Sequence, residues 1–526
     1  MSVRVRIFAG LFVCLAGFVA GLSITPLFIG PVLLAVALLG LAVHDVIQDR
    51  RAVLRNFPVL GHGRYLLEMI RPEISQYFIE SDMNGAPFNR QQRSVVYQRA
   101  KGVLDTQPFG TQLEVNEPGY EWLVHSVLAR DPAEEEPRVL IGELTCAQPY
   151  SASLLNISAM SFGSLSDHAI LALNSGAARG GFAHNTGEGG VTPYHLKHGG
   201  DLIWQVGTGY FGCRTADGHF DPKGFEKTAQ LEQVRMIEIK LSQGAKPGHG
   251  GILPGAKVTE EIAAIRGVPV GETVCSPPGH SAFSTPMELL EFVEDLRTLS
   301  GGKPVGFKLC VGDQGEFMSL CKAMHESGRT PDFISVDGGE GGTGAAPLEF
   351  TNRVGSPLVE GLAFVRDALV GFQLTDRVKV IATGKITNGF RMATALALGA
   401  DLCYAARPMM MALGCIQARR CNSNDCPVGI ATQERSLVFG LEPISKAERV
   451  RRFHRETVQS LMELIGAAGL DGPGDLKREH IFRRVDRRQV MSYAQIYPEM
   501  DPGGLLFDPV PDAFEGIWSR SGVESF

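Results

Sequence analysis

The longest apolar run opens the chain: from Ile7 to Val43 there are 37 residues without a charged side chain. A polar step, Ser23-Ile24-Thr25-Pro26, divides it into Ile7–Leu22 and Leu27–Val43. At about 1.5 Å rise per residue, each half is near the short end of what crosses a hydrocarbon core. Pro26 suits the first turn of a second helix, and the short polar link suits a tight hairpin. Arg4 and Arg6 precede the first half, and Arg50, Arg51 and Arg55 follow the second. The pattern predicts a transmembrane hairpin over residues 1–45, set in the inner (cytoplasmic) membrane with both ends in the cytoplasm. Two rival readings are a cleaved signal peptide, with small residues near Ala20, and a single tilted or re-entrant segment. The second apolar span, starting a few residues after the first, weighs against the signal peptide. With no charge inside the run, the segment anchors rather than transports.

Residues 46–110 are mixed and polar and read as a linker and helical lead-in. From about 150 to 410 the pattern changes to short apolar or β-branched runs separated by amphipathic stretches. Leu154–Ala159, Met236–Leu241, Val305–Leu309, Phe333–Val336, Val378–Ala382 and Leu402–Ala405 read as strands, with Met287–Leu299 and Leu358–Leu369 among the helices between them. Such alternation predicts an α/β fold with a parallel sheet. Several of the strands end in Gly-rich or polar turns, where a barrel builds its ligand site. Further on, Phe453, Leu461, Leu464 and Ile465 share one face of a packing helix within a C-terminal helical extension, 431–526.

Composition sharpens this picture in three ways. The 526 residues, 44% apolar and 20% charged, exceed a typical single domain but suit a barrel with attachments. A net charge of −7 argues against a nucleic-acid partner. The 62 glycines, well above the roughly 7% norm, are clustered, as in loops where backbone must approach a ligand. Seven of the ten cysteines are isolated in apolar or Gly-rich surroundings and read as small buried hydrophobes.

The other three form the sharpest chemical signal. Cys415, Cys421 and Cys426 lie within 12 residues, the last followed by Pro427. Thiolates select iron–sulfur clusters or zinc. Zinc wants four ligands in close pairs, whereas three cysteines suit a three-iron (3Fe-4S) cluster, with Arg419 and Arg420 placed to offset its charge. Cys403 reads as a core residue rather than a fourth ligand.

The spacing C-x5-C-x4-C-P-V-G, continuing to Gln433, resembles the three-iron loop of the glutamate synthase family. Other segments resemble that family in chain order. Ser158-Ala159-Met160-Ser161-Phe162-Gly163-Ser164 resembles its first barrel strand, and Asn185-Thr186-Gly187-Glu188-Gly189-Gly190 its S-N-T-G-E-G-G loop. Lys240-Leu241-Ser242-Gln243-Gly244-Ala245-Lys246-Pro247-Gly248 is similar to K-I-A-Q-G-A-K-P-G. Asp337-Gly338-Gly339-Glu340-Gly341-Gly342-Thr343-Gly344 is similar to a D-G-G-T-G-A segment, with two extra residues.

The resemblance implies a (β/α)8 FMN-binding barrel, placed at 111–430 and including the iron–sulfur loop. It implies FMN contacts from Met160, Ser161, Gly163, Gln243, Lys308, Asp337, Gly338, Gly339, Gly341, Gly342, Thr343 and Gly344. Thr383, Gly384, Ala406 and Arg407 are implied near the phosphate, and Lys308 beside the flavin N1/O2 edge, where a cation favours the anionic reduced ring. The implied reaction makes L-glutamate from 2-oxoglutarate and ammonia through 2-iminoglutarate, with the cluster relaying electrons from a ferredoxin or reductase subunit. Lys308, Lys246 and Arg329 are then candidates to pair with substrate carboxylates. Glu188 is a candidate to handle a proton or to accept a hydrogen bond.

The chain also departs from the family. No glutaminase domain fits in the first hundred residues, and His249 stands where the family carries Glu in K-P-G-E-G-G, so ammonia is expected free or from a separate glutaminase. His195 and His198 are candidates for substrate contact, metal binding or, foremost, capping a loop. Alternatives to the synthase are a related FMN amine-forming enzyme, such as an N-methylglutamate synthase, and a membrane electron-transfer subunit. The discriminating feature is whether Lys308 and Lys246 face one pocket. No dinucleotide fingerprint is evident, so NAD(P)H is expected to act only through a partner.

Overall fold

The computed structural model describes residues 2–133 and 135–526. The chain folds as two compact units, Met1–Arg90 and Gln91–Phe526.

The first unit begins with α1 (Val3–Leu22) and α2 (Ile29–Ile47), which pack against each other. The two apolar helices, Val3–Leu22 and Pro26–Ile47, are long and apolar enough to cross a membrane. Ser23 ends α1, and the Thr25 hydroxyl accepts from Leu27 N–H as the chain turns through Pro26–Phe28. The lead-in is more ordered than its mixed composition suggests: it contains α3 (Gly61–Ile74), which runs into a π-turn at Ser75–Ile79.

In the second unit, eight parallel strands close into a barrel: β1 (Leu155–Ile157), β2 (His184–Asn185), β3 (Leu202–Val206), β4 (Val234–Lys240), β5 (Val305–Leu309), β6 (Phe333–Asp337), β7 (Lys379–Thr383) and β8 (Leu402–Ala405). Each pairs with the next, and Cys403 of β8 faces Leu155 of β1 to shut the ring. The predicted α/β barrel is thus observed, with strand ends within a few residues of those expected. Two strands escaped the pattern, β2 and β3.

A closed barrel buries its interior, so any polar group there needs partners. Glu238 of β4 is fully buried and accepts from Asn185 Nδ2 (2.9 Å), Gln205 Nε2 (2.6 Å) and Ser335 Oγ (2.7 Å), tying β2, β3 and β6 to β4. At the amino ends of the strands, Ile141, Tyr150 and Ala152 from an antiparallel pair (Val139–Ile141 with Tyr150–Ala152) pack on Met236, Phe333, Ile381 and Leu402 and cap that end. This leaves the carboxyl ends of the strands for the site. Outside the barrel, α4 (Asp167–Gly180) packs on α5 (Pro443–Ala467), the expected C-terminal packing helix. The C-terminal segment is not wholly helical, since Ile481–Arg484 pairs with both Glu121–Leu123 and Val490–Ser492.

Candidate active site

The residues following β1, β2 and β4 converge first. Gly187 (φ +64°) sits so close to the β1 turn that a Cβ there would lie 2.6 Å from Ser161 N. That contact brings Glu188 inward, where its Oε1 accepts from Lys240 Nζ at 2.7 Å. Burial opposes the Glu188 charge, but Lys240, Arg266 and Lys246 outweigh it and hold the carboxyl below its usual range. Lys240 is pulled the other way: burial lowers its pKa, with Glu188 opposing and Lys308 adding to the fall. Burial, with Lys240 nearby, lowers Lys246 to about 8, and its Nζ donates to Ala345 O at 2.9 Å. Lys308 Nζ lies 3.8 Å from Asp337 Oδ2, and the same oxygen accepts from Gly244 N at 2.9 Å. Lys246 and Lys308 therefore each act on Lys240, within one buried charge cluster at the carboxyl ends of β2, β4, β5 and β6.

Arg266, from the helix Glu260–Arg266, completes the cluster. Its guanidinium donates to Phe162 O (2.9 Å) and Ser161 Oγ (3.3 Å) and lies over the Phe211 ring at 5.1 Å, while its buried Nε has no hydrogen-bond partner among the described residues. Burial lowers its pKa to about 10 despite Glu188. A roof closes over this region: His280 contacts Tyr210 Oη (3.1 Å) and the Lys240 carbonyl (3.0 Å), and burial lowers its pKa to about 4, leaving it neutral.

The Gly-rich loop after β6 packs on the turn after β4. A Cβ on Gly244 would lie 1.8 Å from Gly338 O, so no other residue fits between these backbones. Beyond it, Arg407 Nη2 donates to Glu340 O at 2.6 Å and its guanidinium lies against Gly342. Lys385, after β7, shares this corner: burial lowers its pKa and Arg407 lowers it further, with Glu340 opposing. Thr383 Oγ1 contacts Ser158 Oγ at 3.4 Å across β7 and β1. Two cations pressed together at adjacent strand ends, beside backbone kept bare of side chains, fit a phosphate-bearing cofactor such as FMN. Met160 is buried just after β1 and Gln243 half-buried just after β4, while Thr343 and Gly344 are exposed in the loop after β6.

The three grouped cysteines lie on one loop after the helix Arg407–Leu413, which Gly414 (φ +119°) terminates. Cys415 N–H donates to Met410 O at 3.0 Å, and Tyr97 Oη to Cys415 O at 2.6 Å. Burial, opposed by the Gln417 N–H and helped by the Cys421 and Cys426 thiols, raises the Cys415 thiol to about 11, so the three share one electrostatic neighbourhood. Among the described residues no group of three His, Cys, Asp or Glu is tight enough for a single metal ion. A cluster of several metals asks for thiols spread around its faces. The cation beside them is Lys257, buried and acting on Cys421 and Cys426. This corrects the expectation for the arginines: Arg419 is exposed and Arg420 pairs with Asp425 at 3.5 Å. Cys403 is buried in β8, as expected of a core residue.

Arg329 is a second correction. It precedes β6, at the amino end of the barrel, and pairs with Glu291 at 3.3 Å on the surface. His195 caps a loop, its Nδ1 accepting from Thr192 N at 3.2 Å, while His198 is exposed. Lys240, Arg266, Lys257 and Lys385 were not singled out by the sequence. Lys240 stood inside a motif already marked and Lys385 directly follows Thr383-Gly384; Arg266 and Lys257 left no separate signal.

Known proteins agree with this construction. A family described as "Conserved region in glutamate synthase" matches residues 125–471. The glutamate synthase large subunit-like protein YerD of Bacillus subtilis is 36% identical over 86% of this chain and 93% of its own length. The archaeal glutamate synthase [NADPH] of Methanocaldococcus jannaschii is 35% identical over 61% of this chain and 60% of its own. Ferredoxin-dependent glutamate synthase 2 of Synechocystis sp. is 33% identical over 64% of this chain but only 22% of its own. With the barrel, the ordered loops and these matches together, the chain belongs to the glutamate synthase family of oxidoreductases.

Proposed function

We propose that this chain reductively aminates 2-oxoglutarate, through 2-iminoglutarate, to L-glutamate, using free ammonia or ammonia from a separate glutaminase. The observation that supports this most is the buried cluster of Lys240, Lys246, Lys308 and Arg266 around Glu188 and Asp337. Four cations against two carboxylates leave room for a dianionic oxo acid.

FMN would supply reducing equivalents here when bound, and Cys415, Cys421 and Cys426 would hold a three-iron cluster able to accept them from a ferredoxin or reductase subunit. Met160, Ser161, Gly163 and Gln243, Lys308, the loop Asp337–Gly344, Thr383, Gly384, Lys385, Ala406 and Arg407 would hold the flavin. Arg266 and Lys308 hold substrate carboxylates. Reducing a C=N bond takes two electrons and two protons, and Lys246, with a pKa of about 8, is the cation best matched to give one. Glu188 stays ionised and positions Lys240 rather than serving as an acid. The apolar helices Val3–Leu22 and Pro26–Ile47 form a hairpin in the cytoplasmic membrane, its arginine-bearing outer ends on the cytoplasmic side.

The test is to supply full-length, FMN-loaded and iron-reconstituted protein with reduced methyl viologen, 2-oxoglutarate and 15N-ammonium. Glutamate carrying one 15N is expected; no labelled glutamate would sink the assignment. Oxidised protein should give a three-iron EPR signal, and stoichiometric zinc without iron would remove the cluster.

A further inference from the structure

The segment between the apolar hairpin and the barrel unit has no part in the chemistry above, yet it carries a large uncovered apolar face. On α3, Leu66, Leu67, Ile70 and Ile74 fall at helical spacing on one side, and the first three are exposed. The face continues into the π-turn, where Tyr77 and Phe78 are 54% and 85% exposed. Arg64 and Glu68, paired at 2.9 Å, and Arg71 occupy the other side. A helix with one apolar and one charged face, open to solvent, matches an element lying in a membrane interface. Single exposed leucines need no explanation, but a contiguous stripe does.

Where this helix starts is fixed. The fully buried Asp45 carboxylate, near the end of α2, accepts from Val59 N–H (2.9 Å) and contacts His62 Nε2 (2.9 Å) in the first turn of α3. Arg51 lies over the Tyr65 ring at 4.5 Å. Arg4, at the start of α1, donates to Asn56 Oδ1 at 3.2 Å. Both outer ends of the hairpin and the start of α3 are therefore held together at one end of the apolar helix pair. Residues 48–79 add Arg50, Arg51, Arg55, Arg64 and Arg71 against Asp49, Glu68 and Glu73, a positive excess at the level where anionic headgroups would lie.

We propose that α3 and the π-turn after it form a third, in-plane membrane element, with Leu66, Leu67, Ile70 and Phe78 set in the headgroup–acyl boundary of the bilayer. This rests on the hairpin reading above. The element would pin the chain at the surface from which the hairpin emerges, at a depth of about 5–10 Å.

The experiment places a genetically encoded environment-sensitive fluorophore singly at Phe12, Leu67, Phe78 or Glu68. Each full-length protein is reconstituted in phosphatidylethanolamine–phosphatidylglycerol vesicles with lipids bearing a quencher high or low on the acyl chain. Leu67 and Phe78 should be quenched several-fold more by the shallow quencher than by the deep one, and Glu68 by neither. Quenching at Phe12 with none at Leu67 and Phe78 overturns the in-plane element and leaves the hairpin standing. Blue-shifted emission at Leu67 without lipid quenching also overturns it, because protein then covers the face. No quenching at Phe12 removes the hairpin and this inference with it.

Discussion

Lys240 Nζ donates to Glu188 Oε1 at 2.7 Å, joining the carboxyl ends of β4 and β2 by an ion pair with little solvent access. The two residues are 52 positions apart, and the pair sits within reach of Lys246, Lys308 and Arg266. The carboxylate is what allows so many cations to share one buried region.

Removing it should be costly. Glu188→Gln leaves Lys240 buried and uncompensated, and breaking such a pair costs about 3–5 kcal/mol. Urea unfolding should show that loss. Combining it with Lys240→Met should recover part of the stability, whereas additive losses would mean the two groups are not coupled.

Lys246 sets a pH limb. Its folded pKa, about 8, lies below the ordinary 10.5 because of burial. Between those values the unfolded chain binds more protons, so stability rises with pH across about 8 to 10.5 and the burial penalty is fully present below 8. Substrate binding should run the opposite way, weakening as the ammonium is lost above pH 8. Titrating 2-oxoglutarate against the flavin spectrum should show that limb, and Lys246→Arg should move it out of range.

His184 and His195 govern acid stability. Both are fully buried, with ring centroids 5.3 Å apart; burial lowers His184 to about 3 and His195 well below its usual range. Unfolding lets each take up a proton below about pH 6.5, so stability falls as pH drops from there. At pH 5 the loss from His184 is about 2 kcal/mol relative to pH 7, and His195 adds a loss of the same sign. Equilibrium urea unfolding at the two pH values should show a shallower loss in His184→Leu, and an unchanged slope would contradict this role.

Gly244→Ala should cost the cofactor. The added methyl would lie 1.8 Å from Gly338 O and push apart the two loops that flank the flavin opening. FMN content after purification should fall at least tenfold. Gly279→Ala, with nothing within 4 Å of its Cβ, should keep full occupancy.

Much of the barrel was legible because alternation marks strands that are long and apolar. β2 was hidden because it has only two residues, and β3 because His- and Gly-rich segments flank it and read as loop. The Ile481–Arg484 strand carries two arginines and shows no apolar alternation. At the site, Glu188, Lys246 and Lys308 stood out by motif. Arg266 ends a helix whose sequence, E-E-I-A-A-I-R, reads as an ordinary amphipathic helix with a basic last turn. Only the fold, by packing that turn under Phe162, aims it inward. Arg329 misled for the converse reason: it lies close to β6 in sequence but at the wrong end of the strand.

The most direct measurement is anaerobic reoxidation of the reduced, FMN-loaded protein, followed by flavin absorbance. Addition of 2-oxoglutarate with ammonium should reoxidise the flavin and yield stoichiometric glutamate, while replacing ammonium by methylamine should be slower. Faster reoxidation with methylamine would reassign the amino donor, and no reoxidation with either mixture would contradict the synthase assignment.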